Sequence, residues 1–472
     1  MRRCYIIYFT VLSCIVSKHT IAQDISFSAS LQTIYNNSNV LELSEKQYEL
    51  TKSMHKYTNS LWFPRLTALG SYTLMSNDIS VTQEYSSLLS PFDSYFQTNF
   101  ITQEIGKIIY NFLGDKSFTV PISENKWATV DVSLIYPIFT GGKRLYTNNI
   151  GKELENIGLL GKSQNKSMVF MTWVELYYGL QLGIEYEKVK NENFLSLQQH
   201  YNNVVAFEVN GIATPMDVLA AKVAMEEAER EWCSAKNNVD VLRYSFCQML
   251  NSDSNLYNNY NPSSPLFVCA SVPSKDWFMD KIGNAPAANI IKAKKNIAQS
   301  TVKINTTEYF PTILVFGKQT LASYNVSENL VPRTMVGATF TWNLFDGLAR
   351  EHKIKQSKIE VKINEIEYTE TTNQLRVAIN KTYSELENAL KNINTLTTTL
   401  EMAEELVRTR KSAYSEGLAT STEVIDAENT KNKIKLLYMT AYYQYDIMLA
   451  SLLSIIGMPQ YFEQWNTDNI NN

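Results

Sequence analysis

Apolar and polar residues alternate one by one in two stretches of this chain. Ala128, Val130, Val132, Leu134 and Tyr136 share one parity, and Thr129, Asp131 and Ser133 the other. The alternation returns with Val336, Ala338, Phe340 and Trp342 against Thr339, Thr341 and Asn343. A period of two belongs to a strand with one apolar and one polar face. Proline in Phe63-Pro64 and Phe310-Pro311 ends the preceding helical stretch and starts a strand. The pattern therefore predicts four strands, near 65–75, 127–139, 312–323 and 334–345. Each has about the 9–11 residues of a tilted bilayer-crossing strand. A half-buried sheet of a soluble sandwich alternates in the same way, so the pattern alone leaves both open.

The rest of the pattern is helical and duplicated. Phe139-Thr140-Gly141 and Phe345-Asp346-Gly347 each open a proline-free run rich in Glu, Lys, Leu and Ala. Each run ends 70 residues later, at Gly211 and Gly417. The simplest reading is one uninterrupted helix of about 100 Å in each copy. Leu250-Asn251 and Ile456-Gly457 keep the same 206-residue offset and close a returning helix. Upstream, residues up to Ser60 and the stretch from about Trp277 to Glu308 read as helical, and there the offset is 247. The 41-residue difference falls in the Ser, Asn and aromatic-rich stretch 76–126, which is read as an inserted loop. Duplication over such distances marks one unit read twice.

The ends and the charge narrow the setting. Arg2 and Arg3, the apolar run Cys4 to Val16 and the site Thr20-Ile21-Ala22 read as a secretory signal over residues 1–22. Val11-Leu12-Ser13-Cys14 also permits a lipoprotein box with Cys14 acylated. No other apolar run approaches the ~20 residues of a membrane helix, so a membrane crossing must use strands. Four strands cannot close a barrel, which needs about eight, and open edges are not tolerated in lipid. A dimer with eight strands or a trimer with twelve would close it. A net charge of −4 gives no case for nucleic acid. Cys233 and Cys247 lie 14 residues apart on one helix and cannot pair. His55, His200 and His352 have no metal-ligand spacing, and neither a nucleophile elbow nor a phosphate loop is present. No cofactor and no enzymatic chemistry are expected. Lys143, Arg144 and Arg350, just after the strands, read as charges at a membrane edge, and Trp173 and Tyr177 as interhelical packing.

The order of these elements resembles the TolC-like outer-membrane factor (outer membrane efflux protein) family. The resemblance rests on Pro137-Ile138-Phe139-Thr140-Gly141-Gly142 with Asn343-Leu344-Phe345-Asp346-Gly347, and on Phe207 to Thr214 with Tyr414 to Thr420. It covers essentially the whole mature chain. It implies an α+β membrane protein: a trimeric 12-stranded transmembrane β-barrel continuous with a periplasmic α-helical barrel. It also implies a Gram-negative outer-membrane location, and partnership with a periplasmic adaptor and, through it, an inner-membrane pump of RND or ABC type. The role so implied is the exit duct of a tripartite efflux or type I secretion system. A coiled-coil stalk protein and a passive channel are the competing readings.

On this frame residues 23–251 form the first repeat, 252–276 a linker, 277–457 the second repeat and 458–472 a tail. Gly211, Ile212, Ala213, Thr214, Gly417, Leu418, Ala419 and Thr420 would be the adaptor-facing tips. The glycines have a local reason as well, because positive φ ends a helix. Glu423 and Asp426, one helical face apart by three, would ring a constriction with Asp217 and Tyr414; ordinary solvated acids are the competing reading. Trp127, Tyr136, Phe340 and Trp342 would form the aromatic girdle against outer-membrane lipid.

Overall fold

The computed structural model describes residues 23–77, 79–81, 120–250, 260–269, 271–326 and 332–470. The expected signal segment 1–22, Cys14 and most of the inserted stretch lie outside the described residues. In order come β1 (Gln23–Ile25), α1 (Phe27–Asn37), α2 (Asn39–Ser60), β2 (Arg65–Leu74), β3 (Ile79–Val81) and β4 (Val120–Phe139). Then follow α3 (Lys143–Val209), α4 (Pro215–Met249), β5 (Tyr260–Pro262), α5 (Lys275–Asp280), a 3-10 turn (Lys281–Asn284) and α6 (Pro286–Thr307). The last are β6 (Thr312–Val326), β7 (Thr334–Thr341), α7 (Ala349–Ser415), α8 (Ser421–Ile455) and α9 (Gln460–Ile470). The shared ruler is literal: α3 and α7 both have 67 residues, and α4 and α8 both have 35.

Two compact units divide the chain, and each draws on both repeats. One comprises 51–155 and 295–363; the other comprises the residues through 50, 156–294 and 364 onward. The first holds the sheet, ordered β2-β4-β6-β7, all antiparallel, with β3 continuing beside β4. β4 is longer than expected because residues 120–126 extend the hairpin with β3, so the insertion begins and ends as strand. The two sheet faces differ as the alternation requires. Leu66, Tyr72, Val336 and Phe340 stand exposed on one side. On the other, Thr67 and Ser133 hydroxyls are 2.8 Å apart, as are those of Ser71 and Thr129. Gly337 lies opposite Phe316 across the sheet, whose ring fills the space a Cβ would need.

β7 stops at Thr341, not at 345. Its described partner β6 begins at Thr312, opposite Thr341, and beyond that point Arg350 takes the carbonyls of Asn343 (3.0 Å) and Leu344 (3.2 Å). Its guanidinium also covers the Tyr309 ring at 4.8 Å and meets Asp346 at 3.2 Å. The first repeat builds the same clamp: Arg144 donates to the Ile138 carbonyl and lies over Trp62 at 4.5 Å. Thr140 stands where Asp346 does, and a second ring, Tyr136 at 5.8 Å, takes the place of the acid. The two arginines expected as membrane-edge charges are folded into the strand-to-helix turns. Both turns need a left-handed residue after the first glycine; the first uses Gly142 (φ 90°), the second Leu348 (φ 68°).

The second unit is held by an aromatic core. Phe27, Phe170, Trp173, Tyr177, Tyr178, Phe246 and Phe462 are all fully enclosed. Phe27 stacks on Tyr178 at 5.4 Å and Trp173 sits 4.7 Å from Phe246. Trp173 Nε1 donates to Ser30 Oγ, and Tyr177 donates to the Ile25 carbonyl, beside the short parallel pairing of β1 with β5. The packing role expected for Trp173 and Tyr177 is what they perform. No described helix is long and apolar enough to cross a membrane.

Candidate functional site: the two helical tips

Each long helix turns back on itself by the same local chemistry. At the first tip, Gly211 adopts φ 71°, and the Ile212 and Ala213 amides donate to the Phe207 carbonyl. At the second, Gly417 adopts φ 75° and the Leu418 amide donates to the Ala413 carbonyl. The left-handed glycine lets the last carbonyls of the helix find partners. Thr214 and Thr420 then start the returning helices with full capping boxes.

Those boxes decide where the expected constriction acids go. Asp217 accepts from the Thr214 amide (3.0 Å) and hydroxyl (2.7 Å), and these bonds hold its carboxyl below the usual range. Glu423 accepts from the Thr420 amide (2.8 Å) and hydroxyl (3.2 Å) and meets Arg410 at 3.1 Å. The Thr420 amide is the main reason its carboxyl is held low. Within one chain, both acids therefore serve as helix caps. Asp426 is exposed. Tyr414 packs between the His200 ring (5.1 Å) and the Phe207 ring (5.6 Å), and burial, then the charge of Asp217, raises its phenol. Ile212 and Leu418 are exposed at the turns.

A cluster that the sequence reading did not single out lies behind the second tip. Glu428 is 1% exposed and receives Lys411 (2.5 Å), Lys431 (2.7 Å) and the Ser196 hydroxyl (2.5 Å). Burial alone would raise its carboxyl, but these three bonds outweigh it and hold it low. His200 Nε2 lies 2.8 Å from Ser421 Oγ, and Asn432 donates to Asn193 at 2.6 Å. Burial, then the Lys411 charge, lowers the His200 pKa. One signal was available in the sequence. Asn193, Leu197, His200 and Val204 follow the spacing of a buried stripe, as do Ser421, Ile425, Glu428 and Asn432. Polar residues on such stripes must find each other.

Of the girdle candidates, Tyr136 lies under Arg144, while Phe340 and Trp342 are exposed neighbours at 6.4 Å. Trp127 pairs with Thr73 and shares the parity of Thr129 and Asp131.

Residues 283–458, nearly the whole second repeat, match the family model described as "Outer membrane efflux protein". The second repeat is thus similar to an outer membrane efflux protein. No curated protein matches it in sequence. Among solved structures it is similar to the outer membrane protein VceC of Vibrio cholerae, with a TM-score of 0.75 and 13% identity, covering 92% of this chain and 96% of that one. It is similar to CusC, with a TM-score of 0.73 and 11% identity over 92% and 93% of the two chains. It is also similar to the Campylobacter jejuni CmeC outer membrane channel, with a TM-score of 0.68 and 14% identity over 94% and 89%. At such identities the likeness is one of fold, and it extends to the first repeat, which the family model does not reach. The expected family agrees with the match over the second repeat, and the expected fold with the solved structures.

Proposed function

We propose that the chain is an outer-membrane efflux channel: the exit duct through which an inner-membrane pump and a periplasmic adaptor expel their cargo. The observation that carries this reading is a sheet of four main strands with an exposed apolar face on one side, joined to a duplicated pair of long helices, in a chain whose second repeat is similar to an outer membrane efflux protein. β2 and β7 are the outer strands of the four, each with one long side unpaired among the described residues. In lipid those edges must be closed, and three copies supply the twelve strands of a barrel. The helices then form the periplasmic tunnel. Energy comes from the pump, and the duct performs no chemistry of its own.

The tips are where the adaptor docks in this reading, through Gly211 to Thr214 and Gly417 to Thr420. Asp217, Glu423, Asp426 and Tyr414 narrow the tunnel there. Asp426, exposed and outside the capping boxes, is the acid best placed to face a lumen, and Asp426→Ala is expected to raise single-channel conductance. The decisive test is photo-crosslinking in living cells from an unnatural residue at Leu418, which is exposed and outside the capping box. Capture of a periplasmic adaptor supports the exit duct. Capture of nothing but copies of this chain, from assembled protein, overturns it in favour of a passive channel or a stalk.

A further inference from the structure

The polar face of the sheet holds an ion pair that is built into the strands. Asp131 lies on β4, which has a strand on each side, and is 8% exposed. One carboxylate oxygen accepts from Thr320 Oγ1 at 2.6 Å; the other accepts from Lys318 Nζ at 2.9 Å and Thr129 Oγ1 at 3.4 Å. A β-bulge makes this possible. The register jumps from Val130 opposite Ala322 to Asp131 opposite Thr320, so Leu321 is skipped. Without the extra residue the carboxylate would face leucine; with it, the carboxylate faces a hydroxyl and the next inward residue is Lys318. Bulges re-aim side chains in this way beside functional positions. The Lys318 side chain is 38% exposed, so its ammonium meets water while the carboxylate behind it does not. Arg333 borders the same level, its carbonyl accepting the Thr320 amide at 2.8 Å.

The opposite side of the sheet exposes Leu66, Leu134, Val336 and Phe340, the side suited to lipid. Asp131 and Lys318 therefore belong to the watered side. We infer that the Asp131–Lys318 level sets the charge selectivity of the barrel interior, with Lys318 as the charge a passing ion meets and Asp131 as its fixed counter-charge. This rests on the reading of the chain as a duct. A charge on the wall of a water-filled pore biases which ions enter, and a buried counter-charge only partly cancels it. Losing Lys318 leaves the carboxylate uncompensated and turns the level toward cations.

The test is the reversal potential of the full-length protein in planar lipid bilayers across a KCl gradient. Lys318→Gln is expected to raise the K⁺ to Cl⁻ permeability ratio roughly two-fold or more, and Lys318→Arg to leave it as in wild type. Lys318→Cys gives a second arm that does not depend on assembly of the Gln variant. A cationic thiol reagent should return the ratio toward wild type and an anionic one should raise it further, against wild-type protein treated alike because Cys233 is exposed. Identical ratios in conducting wild-type, Gln and reagent-treated Cys channels overturn the inference. A wild-type protein that inserts but does not conduct overturns the duct reading itself.

Discussion

The two helical tips share their backbone chemistry and differ in what holds them sideways. Each ends a 67-residue helix at a left-handed glycine and restarts with a threonine capping box. Behind the second, Glu428 gathers Lys411, Lys431 and Ser196. The matching positions are Lys222, Val205 and Met225 in the first repeat, with Met402 of the second in place of Ser196, and among the described residues no such cluster forms there. Instead the first tip exposes Ile212, Met216, Leu219 and Val223. A duplicated gene keeps what a single segment can enforce by itself, such as a cap or a turn. Contacts between segments depend on both partners and drift apart.

The largest expected effect tests that cluster. Glu428→Ala strands two lysines and should destabilise the second tip by about 2–3 kcal/mol, less than a fully enclosed pair because Lys411 is 44% exposed and screened. Lys222→Ala at the matching position should change the first tip by less than about 0.5 kcal/mol. Amide hydrogen exchange over residues 421–432 and 215–226 reads both. Equal effects at the two tips would end the contrast.

The shared part of the tips should respond equally. Thr214→Ala and Thr420→Ala each remove an N-cap and should cost roughly 1 kcal/mol of local opening energy, in the same exchange experiment. A much larger loss at one of them would mean that its cap also holds lateral contacts.

Acid should separate the tips again. The folded pKa of His200 lies below its ordinary 6.5, so the unfolded form binds the extra proton first. The stability it supports is present above about pH 6.5 and is lost as pH falls toward the lowered value. Protection at 421–424, corrected for the intrinsic amide rate, is therefore expected to fall below that pH in wild type and to lose this step in His200→Gln, which keeps a partner for Ser421. The first tip, with Leu406 as the matching residue, should show no such step.

The smallest effect concerns the other duplicated turn. Leu348 holds φ 68° where the first repeat has Gly142. Leu348→Gly should stabilise the second strand-to-helix turn by about 1 kcal/mol, and Gly142→Ala should destabilise the first by a similar amount. Thermal unfolding of the two variants reads the sign directly.

The sequence by itself determined the elements that depend on neighbours along the chain. Alternation placed the strands, absence of proline placed the long helices, and glycine followed by threonine placed the tips, because each rests on backbone geometry within a few residues. Only tertiary structure decided what these elements do to one another. It ended β7 at Thr341, opposite the start of its partner β6 at Thr312, and gave the carbonyls of Asn343 and Leu344 to Arg350. It gathered Ser196, Lys411 and Glu428 from three helices. Periodicity reports which face a residue occupies. The partner across that face, often two hundred residues away, is fixed only when the chain has folded.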